Sequence, residues 1–165
     1  MPQKASVTRE LVTGAVAGAI ATWVMGKTTT YLYQHEDPAA RAREDSARHG
    51  TTAYAVAAEK LAHAVGARLD GKQRAAGSVI HWALGAGAAA LFALLRGRTE
   101  GAGREAGLVF GSAVWLLMDE GAVYALGLTP GPAEFPWQTH VRGLVGHLVY
   151  GAVTDATLNV LDRVV

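Results

Sequence analysis

His81-Trp82-Ala83-Leu84-Gly85-Ala86-Gly87-Ala88-Ala89-Ala90-Leu91-Phe92 decides the fold. After His81 the stretch holds no charged, amide or hydroxyl side chain. A helix on the outside of a soluble bundle carries polar residues on its outer face every turn. A helix apolar all round is buried or lies in lipid. The uncharged stretch extends from residue 77 to 95, and three other regions share its character. Residues 11–26 and 143–154 lack Asp, Glu, Lys and Arg. Residues 106–118 and 121–133 lack them too, separated only by Asp119 and Glu120. Crossing a hydrocarbon core takes about 20 residues of helix. Four spans are therefore expected, roughly over 11–33, 75–95, 106–128 and 141–161. The expected fold is all-α: a single polytopic membrane domain over 1–165, a four-helix bundle with an amphipathic helical insertion at 37–68 between helices one and two.

Composition agrees. The chain has 165 residues, 50% apolar and 18% charged, against about 25% charged in an average soluble domain. That excludes a disordered chain, which needs low hydrophobicity and high net charge. A formal charge of +1 excludes a chain built to neutralise phosphates, so no nucleic-acid partner is expected. The absence of cysteine excludes disulfides, thiolate metal sites and cysteine nucleophiles. Mean hydropathy is only +0.17, because much of the apolar content is Ala and Gly. Such small residues let membrane helices approach closely. The heavy use of Ala, Gly and Arg points to a GC-rich bacterial genome, and hence to the bacterial inner membrane.

A cleaved signal peptide is the competing reading of the N-terminus, with Lys4 and Arg9 before an apolar run containing Ala19-Ile20-Ala21. The run continues through Trp23-Val24-Met25 to Tyr31-Leu32-Tyr33 without a break, which favours a retained span. Basic residues set the orientation. Arg96, Arg98 and Arg104 cluster in one turn, whereas the turn over 129–139 holds only Glu134. By the positive-inside rule the first is cytoplasmic, and with Lys4 and Arg9 it places both termini inside. The basic segment 34–74 runs against this rule, since it would lie outside.

That segment carries its own helix signals. Asp37-Pro38 is an N-cap followed by proline at the first helical position. Arg41/Asp45 and Glu44/Arg48 are i,i+4 pairs on a short helix that Gly50 ends. Thr51 or Thr52 caps a second helix, with an apolar stripe of Tyr54, Ala57/Ala58, Leu61 and Val65. The pair is expected to lie on the membrane, to cover the bundle, or to stand out as a solvated hairpin.

Ionisable groups within spans are costly and commonly functional. At a rise of 1.5 Å per residue, Lys27, His81, Glu120 and His147 lie roughly 9, 6, 12 and 9 Å from the same membrane face. Asp119 and Glu120 point about 100° apart on an α-helix, so only one should face the core. His140, Gly143, His147, Gly151, Thr154 and Leu158 share one face of span four, while Arg142 lies off it and is expected to snorkel toward headgroups. Asp155 also lies within that span. Three readings stay open for the polar layer of Lys27, His81, Asp119, Glu120 and His147. It is an ion network fixing helix registry, with Lys27 paired to Asp119 or Glu120. It is a proton-linked or headgroup-binding site. Or His81, Glu120, His140 and His147 hold a metal, or two histidines a haem. The residues require no cofactor, and no spacing signature such as His-x-x-x-His supports the last reading. No catalytic motif is present; lipid-directed hydrolysis is the one enzymatic option, and the balance favours a non-enzyme. Gly14-x-x-x-Gly18 and Gly107-x-x-x-Gly111 are expected to serve packing within the chain. Trp137, Tyr33 and Trp82 suit an interfacial aromatic belt.

The order Gly14-Ala-Val-Ala-Gly18…Thr22-Trp23-Val24-Met25, His81-Trp82-Ala-Leu-Gly85, Asp119-Glu120, Leu126-Gly-Leu-Thr129 and Gly146-His147-Leu-Val-Tyr150-Gly151 resembles the YagU-like family of small bacterial inner-membrane proteins. The resemblance implies an inner-membrane protein of unassigned activity, loosely linked to acid tolerance, with no catalytic residues to carry over. The expected partners are membrane lipids, with a second copy of the chain or another membrane protein also open.

Overall fold

A computed structural model describes residues 6–96 and 105–164. Among them the regular structure is helical, with no strand. Four helices are long and apolar enough to cross a membrane: α1 (Val7–Gln34), α4 (Gln73–Arg96), α5 (Ala106–Ala125) and α6 (Trp137–Val164). Two short helices, α2 (Pro38–Arg48) and α3 (Ala53–Ala64), link α1 to α4. Lys4, Arg98 and Arg104, three of the residues that bear on orientation, lie outside the described residues.

The bundle is packed with small residues and coated with large ones. Ala17, Ala21 and Ala89 are sealed from solvent, while Val16, Ile20, Trp23, Leu91, Leu117 and Val160 are exposed. A soluble core would reverse this. In lipid, large apolar side chains face the acyl chains and small ones let backbones close up. Both glycine pairs are such contacts. A Cβ on Gly14 would lie 2.6 Å from Ala90 Cα of α4, and one on Gly18 2.6 Å from the Gly85 carbonyl. A Cβ on Gly107 would lie 2.5 Å from the Gly151 carbonyl of α6. Packing thus runs α4, α1, α6, α5, and α4 barely touches α5. Tyr150 of α6 spans the centre and donates to the Gly85 carbonyl at 2.5 Å.

Helix ends follow local chemistry. Asp37 caps α2 by accepting from the Ala39 amide, with Pro38 at the first helical position. His49 and Gly50 turn left-handed after α2, and Thr52 caps α3 by accepting from the Ala55 amide. α5 stops at Ala125, short of the expected 128. There Gly127 takes φ +59°, and the amides of Leu128 and Gly127 return to the Val123 and Tyr124 carbonyls. That is the paired hydrogen-bonding pattern with which glycine ends a helix. α6 starts at Trp137 rather than 141, directly after Pro136.

The insertion departs from expectation on one point. The buried face of α3 is Ala55 and Ala58, whereas Leu61 is 61% and Val65 80% exposed. Close packing decides this: a Cβ on Gly77 of α4 would lie 2.7 Å from the Ala55 amide, so only small residues fit between α3 and α4. Leu61 and Val65 of the expected stripe face away from the bundle, whereas Tyr54 faces it and meets His81 of α4.

Candidate functional site

Polar side chains from all six helices line one cavity of about 470 Å³ at one end of the bundle. Its walls are the C-terminal ends of α1 and α5 and the N-terminal ends of α4 and α6, with α2 and α3 over them.

The wall from α5 is unusual. Residues Trp115–Ala122 wind as a π-helix, with the Val123 amide reaching back five residues to the Met118 carbonyl. π-segments are rare and occur frequently at functional sites. Asp119 and Glu120, expected to divide between two faces, both line the cavity. Each meets a histidine of α6. His140 Nδ1 lies 2.7 Å from Glu120 Oε1, and His147 Nδ1 lies 3.5 Å from Asp119 Oδ2. The two rings also contact carbonyls. His140 Nε2 is 3.2 Å from the Pro132 carbonyl, and His147 Nδ1 is 3.0 Å from that of Gly143. His81 stacks against the Tyr54 ring with centroids 4.7 Å apart. Burial, with the Asp119 charge beside it, pushes the Tyr54 phenol above its ordinary range.

Lys27 is not part of this group. It lies exposed on α1, with its ammonium 5.9 Å from the centre of the Trp23 ring. The expected pairing of Lys27 with Glu120 or Asp119 is replaced by the two histidine contacts. The reason is rotational: Met25 and Thr29 are the α1 residues at this depth that line the cavity, and Lys27, two residues from each, points away. His81, Glu120, His140 and His147, the candidate metal ligands, are not gathered into one group. Among the described residues no three His, Asp or Glu side chains converge on one point. The histidines divide between two carboxylates and a tyrosine ring instead.

Residues outside the expected layer organise its rim. Arg142 does not snorkel. Its guanidinium donates to Glu36 and to Glu44 of α2, and lies 5.1 Å from the centre of the Tyr33 ring. Glu44 is 3% exposed and also accepts from Thr139 Oγ1 at 2.8 Å and from Arg48 Nε at 2.9 Å. Burial alone would raise its carboxyl; Arg142, Thr139 and Arg48 outweigh it and hold it below the ordinary carboxylate value. Tyr33, expected in an aromatic belt, instead donates to Asp45 at 2.7 Å. Trp137 is exposed beside Pro136, as a belt residue would be. On the other side Lys60 of α3 donates to the Leu126 and Gly127 carbonyls at 2.8 and 3.0 Å, at the end of α5 where a cation is favoured. The insertion is therefore bolted to α1, α5 and α6 by polar contacts. A signal for this existed in the sequence: an arginine at the entrance of an apolar span, and carboxylates in the insertion that could meet it.

At the far end of the bundle a separate network holds α4 to α6. Arg96 reaches Asp155 at 3.0 Å and Asp162 at 2.9 Å.

A family model described as a protein of unknown function, DUF1440, matches residues 49–156, about two thirds of the chain. No curated protein and no solved structure matches it.

Proposed function

The chain belongs to the DUF1440 family of proteins of unknown function, and we propose that it is a non-enzymatic, proton-responsive protein of the bacterial inner membrane, acting in envelope or acid-stress physiology. One observation carries the reading: the His140 ring stands between two hydrogen-bond acceptors, the Glu120 carboxylate and the Pro132 carbonyl. A neutral imidazole has one N–H to donate, whereas an imidazolium has two. Proton uptake therefore lets one side chain hold both the π-segment of α5 and the α5–α6 connection. Without the proton one contact is given up, or Glu120 must carry a proton of its own.

The surrounding charges belong to the same device. The titratable and charged groups around His140 in the cavity are Tyr33 of α1, Glu44, Asp45 and Arg48 of α2, Tyr54 of α3, His81 of α4, Asp119, Glu120 and Tyr124 of α5, and Arg142 and His147 of α6. Arg142 and Arg48 are engaged by Glu44, which leaves Glu120 as the charge that faces His140 directly. In the orientation given by the basic residues of the sequence, with both termini cytoplasmic, this end of the bundle faces the outside and meets its pH.

Thermal unfolding of purified protein in detergent tests the reading. The difference in stability between the native chain and His140→Gln should not be the same at pH 8 and at pH 5. An unchanged profile in His140→Gln would sink it.

A further inference from the structure

A second cavity, of about 300 Å³, opens between α4 and α5, the two long helices that barely touch. Ala83, Leu84, Ala88 and Leu91 of α4 line one side, with Val114 and Met118 of α5 on the other. Leu84 and Leu91 are also exposed on the outer surface, so the groove faces hydrocarbon. Met25, Tyr54, His81 and His147 line both this groove and the polar cavity, so the two meet. Each has a polar atom left over. Thr22 is 3% exposed and lines the groove, and its hydroxyl has no hydrogen-bond partner among the described residues. Trp115 Nε1, in the polar cavity, is buried and equally unpartnered there. Buried polar atoms are nearly always satisfied, so orphans of this kind point to a missing ligand or water.

We propose that groove and cavity together form one site for a zwitterionic aminophospholipid, with one acyl chain between α4 and α5 and the headgroup against the polar wall. The apolar walls and the opening toward lipid select a chain. The charge of the cavity selects the head. Glu44, Asp45, Asp119 and Glu120 line it against Arg48 and Arg142, and both arginines are already bound to Glu44. The excess of carboxylates favours an ammonium group over a head of purely negative charge. Both volumes lie within the range of about 300–1,000 Å³ common to small-molecule sites.

Tryptophan quenching reads this directly. Trp23, Trp82 and Trp137 are exposed and can be replaced by Phe, leaving Trp115 as the reporter. Phosphatidylethanolamine with brominated acyl chains, added to this protein in detergent micelles, should quench Trp115 saturably. Excess unbrominated phosphatidylethanolamine should reverse the quenching, and phosphatidylglycerol of the same chains should not. Gly87 lines the groove with nothing within 4 Å of an added Cβ, so Gly87→Phe should fold and weaken binding at least tenfold. Quenching that rises without saturation overturns the site, as does quenching that a folded Gly87→Phe leaves untouched. Equal competition by phosphatidylglycerol overturns the headgroup assignment. The competition arm needs no groove variant, so a misfolded Gly87→Phe leaves the test intact. The readout also does not involve His140 titration, so it fails or succeeds separately from the proton reading.

Discussion

Arg142 of α6 donates to Glu44 of α2, 98 residues earlier in the chain, and both side chains are almost sealed from solvent. This contact ties the insertion to the bundle. Removing one member of a buried pair strands the other, at a cost of about 3–5 kcal/mol. Glu36 remains to take part of the Arg142 charge. Glu44→Gln is therefore expected near the lower end, about 3 kcal/mol, seen as a fall in melting temperature in detergent with early proteolysis between α1 and α4.

The same carboxylate sets an acid limit. Its value in the fold lies below the ordinary glutamate value, which is about 4.3 in an unstructured chain. A depressed carboxyl contributes stability that is complete above the unfolded value and is lost as pH falls through the folded one. The insertion should stay docked at pH 5 and loosen below about 4. Protease sensitivity of the 34–73 segment across pH 3 to 6 checks this, and Glu44→Gln should abolish the transition.

Lys27 and Glu120 do not meet, so their substitutions should act independently. Lys27→Met should change the melting temperature little, since the residue is exposed on α1. Glu120→Gln should destabilise by loosening His140. The double variant should equal the sum to within about 0.5 kcal/mol; a clear deviation would restore the ion pair that the sequence suggested.

The glycine contacts make a graded prediction. Gly111→Leu and Gly18→Leu force side chains into the backbone of a neighbouring helix, where overpacking costs about 1–3 kcal/mol or more. Gly26→Ala meets nothing within 4 Å and should raise stability by up to about 1 kcal/mol, since alanine is the better helix former. Unfolding curves of the three variants in one detergent decide it.

The four long helices were legible because charge is excluded from whole windows, a signal that needs no tertiary information. The GxxxG contacts were legible for a related reason: close approach demands small residues at fixed spacing. The position of Lys27 was not legible, because depth along a helix says nothing of rotation about it. Asp119 and Glu120 misled because their α-helical spacing put them on different faces, whereas both line the cavity. Nothing in Trp115–Ala122 announces a π-wind. The docking of α2 was hidden because Glu44 read as a surface i,i+4 partner of Arg48. That pair does form at 2.8 Å, but the second oxygen of Glu44 is the one that reaches α6.

Amide hydrogen exchange over residues 127–136, the connection that His140 holds through the Pro132 carbonyl, tests the central claim most directly. After correction for intrinsic exchange, protection there should differ between pH 8 and pH 5 in the native chain and be the same at both in His140→Gln. Equal protection at both pH values in the native chain, or the same difference in His140→Gln, would contradict a proton-responsive His140.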